Sequence, residues 1–188
     1  MKTIEVTVQG ITPILMNRFT EAAEIAVSSG TSAAHKGKKG TPREQAEPKC
    51  YKNSDGELVI PGPNMFAAII DAGKFHKVGK NKVTTQKSSL VPAAMSLLEI
   101  VMLLRGGPWE VDSRSVVNPS TGGRMMCHRP RLDEWELDFT LEVDDEMFHT
   151  DFVRQLVDDA GKKIGLCDYR PSRKGPFGKF VVTGWKEI

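Results

Sequence analysis

Six cations fall within the eighteen residues from Lys162 to Lys179: Lys162, Lys163, Arg170, Arg173, Lys174 and Lys179. One acid, Asp168, lies among them, together with Gly165, Gly175 and Gly178. Glycine lets a backbone come close to another chain or a ligand, and cations on such a segment suit a polyanion. Three other stretches carry the same sign. His35 to Lys52 has six Lys or Arg against two Glu, Lys74 to Lys87 has five Lys and no acid, and Ser113 to Leu132 has four Arg and no acid. Between Asp133 and Asp159, eleven acids face one base, Arg154. The net charge of +2 therefore hides a strong segregation. Each basic stretch alone also reads as a solvated loop. Meeting on one face, the four would form the electrostatic footprint of a nucleic-acid binder.

Other chemistry is thinly represented. His35, His76 and His128 each sit near cations, which suits proton transfer at a phosphate, but none lies in a recognisable catalytic motif. Cys50, Cys127, Cys167 and His128 match no zinc spacing. There is no phosphate-binding loop and no dinucleotide fingerprint. No catalytic residue, metal or cofactor is assigned. An odd, scattered set of three cysteines points to a reducing compartment. No apolar run approaches the roughly 20 residues of a membrane span, and the start MKTIEVTVQG lacks a signal peptide's apolar core. A cytoplasmic protein with no membrane partner is the expectation.

The elements that must position these residues follow from periodicity. Ile4, Val6 and Val8 alternate with polar neighbours over residues 3–9, a half-buried strand. Glu21 to Val27 suits a short helix, and the small, polar, basic stretch that follows reads as a mobile loop, the core of an insertion over residues 20–56. Leu58 to Ile60 is a short strand. Pro63 opens a helix with Phe66, Ile69 and Ile70 on its apolar side and a stop at Gly73. Residues 74–89 read as a polar basic loop, and Glu99 to Leu104 as a strand. Val111 to Val117 and Arg124 to Arg129 flank the turn-rich NPSTGG and form a hairpin, within a protruding insertion over 106–131. Trp135 to Val143 alternates most cleanly, with an acidic face that needs solvent or a basic partner. Phe148, Phe152, Leu156 and Ala160 mark an amphipathic helix, capped by Asp144 or Asp145 and ended at Gly161. Phe177 to Trp185 closes the chain as a strand. The order suits one α+β domain over residues 1–188: a ferredoxin-like, RRM-like antiparallel sheet with two helices on one face and long basic loop insertions.

Three features resemble the RAMP superfamily, the RRM-like proteins of class 1 CRISPR effector complexes. They are the Ile60-Pro61-Gly62 junction into a helix, Arg114 with the hairpin preceding Trp135 to Val143, and the C-terminal glycine loop. In that loop Phe177-Gly178-Lys179 and Gly184 follow the superfamily spacing, while Pro176 stands where a glycine is expected and Gly175 precedes it. The resemblance covers residues 3–16 and 57–185 and is to a compact relative, phage-encoded in one reading, of the Cascade backbone subunit in antiviral defence.

The resemblance implies sequence-independent binding of single-stranded RNA by a homo-oligomer or filament, beside other effector subunits. Arg18, Lys36, Lys38, Lys39, Arg43, Arg114, Arg124, Arg129, Arg131, Lys162, Lys163, Arg170, Arg173, Lys174 and Lys179 would then meet phosphates, with Phe177, Tyr169 and Met125 at the bases. Three alternatives stay open: a guide-processing endoribonuclease of the RAMP type, a phage single-stranded DNA-binding or recombination protein, and an assembly protein that binds no nucleic acid.

Overall fold

The computed structural model describes residues 1–29, 40–118 and 121–188. In chain order the principal elements are β1 (Lys2–Gly10), β2 (Ile14–Leu15), α1 (Glu21–Ser28), α2 (Pro42–Ala46), β3 (Val59–Pro61), α3 (Gly62–Ala72), β4 (Lys77–Val78), β5 (Asn81–Lys82), α4 (Val91–Ala94), β6 (Met95–Leu97), β7 (Val101–Leu103), β8 (Arg105–Gly106), β9 (Glu110–Val117), β10 (Arg124–Leu132), β11 (Trp135–Val143), α5 (Thr150–Asp159) and β12 (Phe180–Glu187). This is an α+β arrangement. The main sheet runs β12-β1-β11-β6, with β8 also pairing with β11, and each of these pairings is antiparallel.

Alternation in β1 and β11 sets the two faces of the sheet. Ile4, Val6 and Val8 pair with Leu141, Phe139 and Leu137, and all six are buried. They join one core with Met65, Ala68, Ile69 and Ala72 of α3 and Val153, Leu156 and Val157 of α5. Apart from the two alanines, each such side chain contributes roughly 1.5–3 kcal/mol when fully buried. The other face carries Glu5, Thr7 and Gln9 beside Glu136, Asp138, Thr140 and Glu142. Arg105 is the basic partner that the acidic strand requires: it bonds both Glu136 and Asp138 from the neighbouring β8. The bond from Arg105, the largest influence, holds Asp138 below the usual carboxylate range; burial opposes it, and a bond from Thr7 assists.

Several boundaries differ from expectation. Thr41 to Lys49, read as part of a mobile loop, is ordered. Thr41 caps α2 in a capping box: its hydroxyl accepts from Glu44 N, and Glu44 reaches back to Thr41 N. The remaining core of that expected loop, residues 30–39, lies outside the described residues. His149, not Asp144 or Asp145, caps α5. Gly161 does not end that helix in a left-handed turn. A wider π-type turn carries the chain on to Gly165, which adopts φ +76°. Gly161 instead packs against Phe180, whose carbonyl oxygen would overlap a Cβ placed there. Residues 74–89 contain the small β4–β5 hairpin rather than loop alone. The apolar side of α3 is Met65, Ala68, Ile69 and Ala72, with Phe66 and Ile70 only half-buried. The final strand starts at Phe180 rather than Phe177.

Candidate nucleic-acid interface

A very short strand joins the basic segments. Ile14, Leu15 and Met16 have no exposed surface. Ile14 and Leu15 pair with Leu132 and Arg131 of β10. On their other side the C-terminal loop is sewn on: Asp168 N donates to Leu15 O at 2.9 Å, and Gly178 N to Pro13 O at 2.8 Å. Leu166 N closes the loop onto Gly178 O at 2.9 Å. Gly178, at φ +72°, lies so close to the Leu166 backbone that a Cβ would overlap it. A side chain there would break both the turn and the closure. The α2 segment joins from a third direction. Lys49 Nζ donates to His128 O at 2.7 Å and lies 3.6 Å from Cys127 Sγ, while Arg18 N donates to Lys49 O at 3.0 Å.

At the centre is a charge network. Arg129 is 6% exposed. It donates through Nη1 to Asp168 Oδ2 at 2.8 Å, and its Nη2 lies 3.7 Å from Asp112. Asp168 also accepts from Asn17 Nδ2 at 3.1 Å and from Tyr169 N at 2.9 Å. Arg114 donates through Nε to both oxygens of Asp112, at 2.8 and 3.0 Å. Its guanidinium lies over the Phe177 ring, 4.9 Å from the centroid, and the Tyr169 ring lies 5.9 Å from Phe177. Bonding to Asp112, its largest influence, raises the Arg114 pKa further above the ordinary guanidinium value. Around this network the backbone is strained. Cys167, Tyr169 and Lys174, none of them glycine, adopt φ of +60°, +48° and +62°. Such conformations persist only where surrounding contacts hold them, and they gather at functional sites.

The expected site residues separate into groups. Arg43, Arg124, Arg173 and Lys174 are exposed and lie on these joined segments, and Arg18 opens beside Lys49 on a cleft of about 480 Å³. Arg43 stacks on Trp109 at 3.9 Å, and Arg124 Nε bonds Ser115 at 3.0 Å. Arg114 is 44% exposed at its side chain. Arg170 is half-buried and holds the loop, donating to Cys167 O at 2.7 Å and to Ser172 at 3.0 Å. Arg129 is an internal tie, not a surface contact. Arg131 is already surrounded by Asp133, Glu110 and Asp112, at 2.7, 3.3 and 3.8 Å. Phe177, 6% exposed, is a buried support under Arg114 and no free platform for a base; Tyr169, 38% exposed, is the ring that meets solvent.

Lys163 lies apart from the joined segments, 2.7 Å from Asp159 and 4.6 Å over Phe75, and Lys162 is exposed on the same turn. Lys179 contributes its backbone, with N bonded to Thr12 Oγ1 and O accepting from Ile11 N, both at 2.9 Å. Lys36, Lys38 and Lys39 fall outside the described residues, as does His35. His76 bonds Asp159 at 2.9 Å, and His128 Nδ1 bonds Ser113 Oγ at 2.7 Å. Met125 is exposed near the hairpin tip.

Asp112 and Asn17, together with the internal role of Asp168, are what sequence reasoning missed. The available signal was the position of the acids: Asp112 stands immediately before the acid-free basic stretch, and Asp168 is the one acid inside the other. Among the described residues no group of His, Cys, Asp or Glu is arranged to hold a metal ion, and no helix is long and apolar enough to cross a membrane. The sequence matches no protein-family model and no curated protein.

Proposed function

We propose that the protein binds single-stranded nucleic acid without sequence preference, RNA before DNA, and that it does so as a multimer along the strand. The observation that carries this reading is the joining of the hairpin, the α2 segment and the C-terminal loop through β2. It puts Arg18, Arg43, Arg114, Arg124, Arg173 and Lys174 on connected segments, with Arg114 and the exposed Tyr169 lining one cleft. Fixed cations beside an aromatic ring supply phosphate contact and stacking, neither of which reads sequence. The open sheet face is the wrong surface for a polyanion. Its exposed positions on β1 and β11 are carboxylates, threonines and glutamine, without the aromatic side chains that make an RRM sheet a stacking platform.

The further assignment is a ferredoxin-like, RAMP-type domain related to CRISPR backbone subunits. What supports it is the strand order β12-β1-β11-β6, with α3 between β1 and β6 in the chain and α5 between β11 and β12, together with the sequence resemblance. The test is to purify the protein, measure its particle mass, and extract and size any bound nucleic acid after nuclease trimming. Protected RNA of regular length in a particle much heavier than 20.8 kDa is the expected result. A monomer that ignores single-stranded RNA and DNA at low salt overturns the reading.

A further inference from the structure

The hairpin and the C-terminal loop enclose a cleft of about 450 Å³, lined by Arg114, Ser115, Val116, Val117, Arg129 and Tyr169. Its lining combines three kinds of surface. Tyr169, 38% exposed as a residue, supplies a ring tilted against Phe177 beneath it. Val116, on the same face of β9 as Arg114, supplies an apolar wall. Arg114 supplies the charge: its Nε is taken up by Asp112, which fixes the guanidinium plane and leaves the two Nη groups as donors.

Two independent features mark this as a built site. Arg129, 6% exposed, forms part of the wall, and its buried Nε–H finds no acceptor among the described residues. Buried donors are nearly always paired in native structures, so this one sets the wall apart from ordinary packing. Tyr169 is also held at φ +48°, two residues after the left-handed Cys167, with its N–H donating to the Asp168 carboxylate at 2.9 Å, so the ring is presented at a cost in backbone energy.

A flat ring facing an apolar wall, with a fixed guanidinium beside it, matches one nucleotide: a base for the ring, a phosphate for the arginine. The volume falls within the range of small-ligand pockets. From this we infer that the cleft seats a single nucleotide of the bound strand, its base against Tyr169 and its phosphate at Arg114. The inference rests on the nucleic-acid reading above and names a specific seat within it.

The test uses the full chain and uridine-rich single-stranded RNA carrying 4-thiouridine. Affinity is read by fluorescence anisotropy, and photocrosslinks are located by mass spectrometry. Tyr169→Asn removes the ring with a residue that tolerates positive φ, and Tyr169→Phe keeps it. Val116→Trp fills the cleft while leaving Tyr169 in place. The expected result is crosslinking to peptides containing Tyr169 or Val116. Affinity should fall about ten-fold or more in Tyr169→Asn and in Val116→Trp, and be retained in Tyr169→Phe. If RNA binds, crosslinks elsewhere, and ignores both cleft variants while Arg173→Glu with Lys174→Glu weakens it, the nucleotide seat is overturned and the broader reading stands. Absence of RNA and DNA binding by the native protein overturns both.

Discussion

Arg129 and Arg124 are the same residue type five positions apart on one strand, yet they do opposite work. Arg124 projects from the hairpin into solvent, whereas Arg129 is buried against Asp168. Strand alternation separates faces but does not tell which face will be covered by a loop forty residues later. Removing Asp168's charge leaves Arg129 buried with only the more distant Asp112. Asp168→Asn is therefore expected to cost about 3 kcal/mol, while Arg124→Ala stays within about 0.5 kcal/mol of native; urea unfolding of the two variants measures both. The cysteines divide in the same way. Burial pushes the Cys167 thiol up to about 12, and burial first, then the nearby Glu47 carboxylate, pushes Cys50 up to about 11. Cys127 is only half-buried. Iodoacetamide on the folded protein at pH 8 should label Cys127 alone, with Cys50 and Cys167 labelled only in denaturant. Equal labelling of all three in the folded protein would show that the C-terminal loop is not closed as described.

At the level of elements, legibility followed the strength of local pattern. β1, β11 and the β9–β10 hairpin stand close to where alternation and turn residues put them, because their side chains face one core or one partner strand. The capping box at Thr41 and Glu44 was also written in the sequence, with Pro42 at the first helical position. It was masked by the polar, basic composition around it. β2 was not legible. A strand of two residues has no period, and its importance comes entirely from what pairs on either side. The end of α5 was misplaced for a related reason: Gly161 looks like a helix stop, but its missing side chain serves the close packing on Phe180. That end is tied to the β4–β5 region through Asp159, which His76 meets at 2.9 Å and Lys163 at 2.7 Å. Burial pushes the Asp159 carboxyl up, but the bonds from Lys163 and His76 outweigh it and hold the group below its ordinary value. A depressed folded value means that this group stabilises the fold fully above the unfolded carboxylate range, about pH 4. The contribution is lost as pH falls through the lower folded value. Asp159→Asn should therefore lower the melting temperature at pH 7, and the difference between native and variant should shrink as pH falls below the unfolded carboxylate range. A constant difference between them from pH 7 to pH 3 would remove Asp159 as the source.

Over the whole molecule, the chain sorts charge by surface more finely than by segment. The acidic face of the sheet is partly neutralised from within by Arg105 and, at the β1–β12 pair, by the 3.3 Å contact of Lys186 with Glu5. Arg129 and Arg131 at the joint are likewise consumed by Asp112, Asp133, Glu110 and Asp168. The cations left over are fewer than the sequence suggested, and among the described residues Arg173 and Lys174 are exposed with no carboxylate partner. This distinction sets the salt dependence of binding. Each phosphate contact on a single strand contributes a slope of about −0.7 in log affinity against log salt. Replacing Arg173 and Lys174 together by alanine should make that slope shallower by about 1.4. Replacing Arg131, held among three carboxylates, should leave it unchanged. Anisotropy titrations with one homopolymeric RNA across a salt series measure both. Equal slopes for native protein and the Arg173/Lys174 variant would mean that the strand follows another surface, and a change at Arg131 would mean that the internal network opens when nucleic acid binds.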